Sequence, residues 1–184
     1  MKMFPFTDKY SRMPILNYIL ALFLGLNWTG CASSGKVVSA SQASLSKPGP
    51  AVNLVVVTTS SIPKSGEQVN LIEALTISGL SDSHKFTHVA STANSKISNG
   101  DTKVLLEIAS LNKVSDDSRA WFGALAGQAR ILVKVTISDL VDGHQIQYFE
   151  VEGKSSAGFG WAGTTDQAIQ KLVDQVVASI LKLY

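Results

Sequence analysis

The sequence predicts an α+β domain of two layers: a mixed, mostly antiparallel sheet of about five strands in the order β-α-β-β-β-β-α, with the helices on one face. Three observations carry this prediction. Residues 128–140 alternate, with Ile131, Val133, Val135 and Ile137 on one face and Lys134, Thr136 and Ser138 on the other, and Asp142-Gly143 then turns the chain back. Near the end, Ile169, Leu172, Val173, Val176, Ile180 and Leu183 recur at the spacing of one helical stripe. Ahead of both, a continuous apolar run around residue 54 precedes a helical pattern and a further strand, the order of a parallel crossover.

The chain opens on residues that are not part of this fold. Lys2, Lys9 and Arg12 precede an apolar run over residues 13–26, followed by Trp28-Thr29-Gly30-Cys31-Ala32. A positive start, about 14 apolar residues and a small-residue site describe a signal peptide over residues 1–30, short of the roughly 20 residues of a spanning helix. Cys31 is the one cysteine of the chain and cannot form an internal disulfide. Thr29-Gly30-Cys31 resembles the lipobox of bacterial lipoproteins, with Trp28 where leucine is usual. The resemblance implies that Cys31 is acylated, palmitate among its lipids, and becomes the first residue of the mature chain. Ala32 in place of aspartate points to the outer membrane, facing the periplasm.

Of the 16 basic and 14 acidic residues, cleavage before Cys31 removes Lys2, Lys9, Arg12 and Asp8, leaving 13 of each sign. A neutral mature chain gives no footing for nucleic-acid binding, which depends on clustered cations. Residues 31–50, rich in Ser, Ala, Gly and Pro, predict a flexible tether behind the lipidated cysteine.

The folded domain is expected over residues 51–184. Val52 and residues 54–57 predict a strand buried on both faces, ended by Pro63. Ser65 and Gln68 have capping-box spacing, and Val69, Leu71, Ile72 and Leu75 supply a helical stripe that Gly79 would stop. Residues 85–91 form a weaker strand candidate. Residues 102–114 alternate, Val104, Leu106 and Ile108 opposing Leu105, Glu107 and Ala109. For the hairpin, a three-residue turn of Val141, Asp142 and Gly143, with Gly143 left-handed, sets Val135 opposite Phe149, Val133 opposite Val151 and Lys134 opposite Glu150. That register pairs apolar with apolar and joins opposite charges. Thr164 and Gln167 have capping-box spacing at the start of the last helix, with Asp166 in its first turn.

No motif specifies chemistry. Gly158, Gly160 and Gly163 have dinucleotide-fingerprint spacing between a strand and a helix, but no parallel strand or acidic residue follows, and Phe159 and Trp161 would crowd a pyrophosphate. His84 and His88, four apart on a strand, would stand about 13 Å from each other, too far to share a metal. Asp116 and Asp117 are adjacent loop carboxylates of the kind that stay solvated. No serine is placed beside a histidine and a carboxylate, so the chain is expected to have no catalytic, metal or cofactor site. The candidate interaction surface comes from two glycine-rich loops expected at one end of the sheet, which gather Arg119, Trp121, Phe122, Phe159 and Trp161. Such aromatics either cover the open end of the core or offer a partner a hot spot beside one arginine.

Arg119, Gly123, Gly127-Gln128-Ala129, the strand to Asp139, Gly143 and Glu152-Gly153-Lys154-Ser155 resemble a bacterial lipoprotein family designated domain of unknown function 4410. A more distant similarity is to the curli secretion lipoprotein and related envelope proteins. Neither implies catalytic residues. What they imply is a non-enzymatic outer-membrane lipoprotein, held in the membrane by lipid on Cys31. Its domain would be a periplasmic interaction or assembly module whose partner is another envelope protein or itself. The alternatives are an oligomeric secretion or transport accessory and, from a different class, a small-ligand binder or hydrolase.

Overall fold

The computed structural model describes residues 33–41, 48–58, 66–91, 102–113, 128–156 and 163–184. They form six strands, β1 (Ser34–Ala40), β2 (Ala51–Thr58), β3 (His88–Ser91), β4 (Thr102–Asn112), β5 (Arg130–Asp139) and β6 (Gln145–Lys154), and two helices, α1 (Gly66–Asp82) and α2 (Thr165–Leu181). The sheet order is β1-β6-β5-β4-β2-β3. β4, β5 and β6 are the expected antiparallel meander, and β2 pairs in parallel with both β3 and β4, so α1 is a crossover between parallel strands.

One strand falls where a flexible tether was expected. Residues 34–40 pair antiparallel with β6, from Ser34 opposite Lys154 to Ala40 opposite Phe149, and form an edge of the sheet. The pattern of this segment is obscured because an edge strand buries little: Val37 and Val38 keep 38% and 42% of their surface exposed. Its attachment comes from glycine instead of an apolar face. A Cβ at Gly35 would overlap the Lys171 carbonyl oxygen of α2, so this strand and helix pack at backbone contact.

The core lies between the sheet and the helix pair. Val52 and Leu54, Val104, Leu106 and Ile108, Val133, Val135 and Ile137, and Phe149 and Val151 present one face, and Ile169, Leu172, Val173, Val176 and Ile180 of α2 meet it. The period-two assignments and the helical stripe from Ile169 to Ile180 are therefore borne out, while Leu183, expected on the same stripe, lies beyond the end of α2. β2 is buried on both faces only over residues 51–54, since Val57 is exposed. β4 and β5 end within two residues of the expected bounds, and two boundaries differ by three. α1 runs three residues past Gly79, which serves as a helix–helix contact: a Cβ there would stand 3.0 Å from Cγ2 of Val177. The strand expected over residues 85–91 begins at His88, because Ser83 and His84, the latter with φ 54, complete the turn that ends α1.

The hairpin register is as expected, Val135 opposite Phe149, Val133 opposite Val151 and Lys134 opposite Glu150. The turn achieves it by another route. Asp139 accepts from Gly143 N–H at 3.1 Å and donates to His144 O at 2.9 Å, making a four-residue turn of Leu140, Val141, Asp142 and Gly143. The register then shifts beside Ser138, and this irregularity restores the parity that the longer turn would have inverted. Asp139 Oδ1 caps the turn by accepting from Val141 N–H at 2.7 Å, and Gly143 holds the left-handed φ of 72.

Candidate interaction surface

Cys31, Arg119, Trp121, Phe122, Phe159 and Trp161 lie outside the described residues, which do include the strand ends on which both glycine-rich loops stand. β4 and β6 each run antiparallel to β5, so they run alike and their following loops leave from one end of the sheet. The last transverse row at that end is Ser34, Lys154, Arg130 and Asn112. The first turn of α1 is there too, where Gln68 Oε1 accepts from Lys113 Nζ at 2.9 Å.

Both loop bases are tied by polar side chains. Ser155, wholly buried, accepts at Oγ from Ala129 N–H at 3.0 Å and donates its own N–H to Ala129 O at 3.0 Å. It thereby joins the start of β5 to the exit of β6 and pairs the backbone N–H groups of both Ala129 and Ser155. The second tie is Gln167. Thr164 caps α2 as expected, its hydroxyl accepting from Gln167 N–H at 3.1 Å. The side chain of Gln167 serves the loop: Oε1 accepts from Ser156 N–H at 3.0 Å, Ser156 Oγ at 3.1 Å and Gly163 N–H at 3.2 Å. One amide oxygen thus gathers the two residues that flank positions 157–162. Gly163 is needed for the approach, with φ 97 and no room for a Cβ beside Ser156 O. Capping-box spacing pointed to Gln167, but its loop partners could be found only in three dimensions.

The sheet face away from the helices carries a second polar arrangement. Ser39, Glu150, Lys134 and Glu107 form one row across β1, β6, β5 and β4. Beside it, Tyr148 donates its hydroxyl to Glu150 Oε1 at 2.5 Å, and Glu152 pairs with Lys154 at 2.9 Å. The phenol is pushed up to about 12, first by that hydrogen bond, then by burial and by the negative charges of Glu150 and Glu107. A phenol held protonated in this way stabilises the face and lends no nucleophile.

Two grooves remain. One, of about 400 Å³, runs between the helices past Leu75, Gly79, Val173 and Val177, with Asp82 and Asp174 on its rim. Those carboxylates are engaged locally, Asp82 by Ser78 and Asp174 by Gln170 and Lys171. The other lies at the far end of the sheet by Pro48, Pro50, Lys85 and Tyr184, where the Tyr184 hydroxyl donates to Gly49 O at 2.9 Å. Among the described residues no group of three or more His, Cys, Asp or Glu side chains converges as a metal site would require, and no helix is long and apolar enough to cross a membrane.

No protein-family model and no curated protein matches the chain. Solved structures do share its fold. PelC from Paraburkholderia phytofirmans, solved as a dodecamer in two crystal forms, superposes with TM-scores of 0.51 and 0.50 at 13% identity, over 78% of this chain and 95% of that one. A hypothetical protein, CT253 of Chlamydia trachomatis, gives 0.48 at 15% identity over 72% and 97%, and the lipoprotein GNA1162 of Neisseria meningitidis gives 0.43 at 13% over 72% and 99%. At 13% identity the likeness to PelC is one of fold.

Proposed function

We propose that this chain is a bacterial envelope lipoprotein of the outer membrane, exported by residues 1–30, acylated on Cys31, and working without catalysis as an interaction or assembly module in the periplasm. The observation that carries the proposal is the succession of apolar run, Thr29-Gly30-Cys31 and, three residues on, the first strand of the sheet. The resemblance of residues 119–155 to domain of unknown function 4410 supports the same reading. Growth with a fatty-acid probe tests it. Label should enter the protein, disappear in Cys31→Ser and follow the outer-membrane fraction. Label that ignores the substitution would refute it.

The second reading is an oligomeric secretion or transport accessory, favoured by the dodecameric state of PelC. β1 and β3 are the unlike edges of one sheet, and an unlike contact repeated between copies closes into a ring when its rotation permits. Mass measurement in mild detergent separates the readings: a stable closed ring supports the second, a monomer or dimer the first.

A further inference from the structure

We infer that the end of the sheet formed by Ser34, Asn112, Arg130 and Lys154 rests on the phosphate headgroups of the membrane that holds the chain, an inference that depends on the acylation of Cys31 proposed above. Chain length sets the first constraint. Only three peptide steps separate Cys31 from Ser34, and an extended chain spans at most about 3.6 Å per residue, so the two lie within about 11 Å. The headgroup region on one side of a bilayer is itself about 5–8 Å deep. With its acyl chains in the hydrocarbon, Cys31 leaves no length for the domain to stand clear.

The second constraint is orientation. β1 is paired from its first residue, Ser34 opposite Lys154, and Gly35 is already seated on the backbone of α2. The short link therefore ends on a rigid element, at the end from which both glycine-rich loops depart. β5 then carries the fold away from the membrane for ten residues, on the order of 30 Å, to the turn at Val141. Val141 is 91% exposed there.

The charge at the near end suits this contact. Lys36, Lys113 and Arg130 are exposed, and Lys154 stands among them with Glu152 as its partner. The other described carboxylates at this end, Glu67 and Asp166, occupy the first turns of α1 and α2, where they offset the positive helix ends. Anionic phosphates meet the remaining cations, which act within a Debye length of the surface.

The test uses the full lipoprotein in vesicles of mixed zwitterionic and anionic phospholipid. Because the native thiol is acylated, Asn112→Cys or Val141→Cys supplies the thiol for a nitroxide, and a nickel-chelating lipid reports proximity to the bilayer. Relaxation is expected to be enhanced several-fold at residue 112 and unchanged at 141. A 20-residue Gly-Ser insertion between Ala32 and Ser33 should abolish the difference, and the pair Lys36→Glu with Arg130→Glu should at least halve the effect at 112. Equal relaxation at the two positions in vesicle-bound protein would overturn the orientation while leaving the anchor standing. An effect at 112 untouched by the charge reversals would overturn the headgroup contact. Protein that fails to sediment with vesicles and takes nitroxide on Cys31 would overturn the anchor and this inference together.

Discussion

Gly35 of β1 faces the carbonyl oxygen of Lys171 in α2 so closely that a Cβ on residue 35 would overlap it. Gly35→Ala should therefore push β1 off the helix, at about 1–3 kcal/mol, the usual cost of overpacking. Thermal melting checks the magnitude, and hydrogen exchange over residues 34–40 checks the place. Melting unchanged from the parent would show that β1 is not held by this contact. Gly153→Ala, which would overlap Ala168 O and approach Cβ of Leu172 at 2.7 Å, should be at least as damaging because β6 is an interior strand.

Gln167 offers a contrast between an acceptor and a mere volume. Gln167→Leu removes the oxygen shared by Ser156 and Gly163 and should lower stability by about 1–3 kcal/mol, the cost of leaving such donors unpaired. Gln167→Glu keeps an acceptor and should restore most of that loss at neutral pH. Amide exchange at Ser156 and Gly163, measured beside the melts, should rise in the first variant and stay near the parent in the second.

Tyr148 gives a prediction in pH. Its phenol is raised from 10.0 to about 12, so its contribution to stability is complete below about pH 10 and is lost as pH rises through about 12. Tyr148 and Tyr184 are the tyrosines that follow Cys31. Phenolate absorbance of the Tyr184→Phe protein from residue 32 onward therefore reports Tyr148 alone. Glu150→Leu should bring the midpoint down toward 10, since it removes the leading cause and one of the charges. An unmoved midpoint would discredit the hydrogen bond to Glu150 as that cause.

The hairpin turn makes a smaller prediction. Gly143 has φ 72 and open space around its Cα, so Gly143→Ala meets no neighbour and costs only backbone strain, about 1–2 kcal/mol. Gly143→Asn, which tolerates the left-handed region better, should cost less in the same chemical-denaturation series.

Much of the fold was legible because burial imposes a period. Val133 and Val135 could be matched to Val151 and Phe149 by parity, since the wrong register would have set Glu150 opposite Val135. The helix stripe from Ile169 to Ile180 was legible for the same reason. The strand at residues 34–40 was not: five consecutive exposed residues, Lys36 to Ala40, leave no apolar alternation, and the strand is held by the backbone of β6 and the absence of a side chain at Gly35. Gln167 was visible as a capping residue, but its partners 11 and 4 residues away across a loop were not.

Sequence alone determined the alternation of strands, the amphipathic face of the last helix and the hairpin register, because each is written in spacing along the chain. Tertiary structure decided that residues 34–40 join the sheet, that Gly79 is a contact instead of a stop, and that Ser34 begins beside Lys154 at the end where both loops leave. These depend on which backbones approach one another across the fold, and a glycine in a chain of small polar residues carries no period that would announce its neighbour.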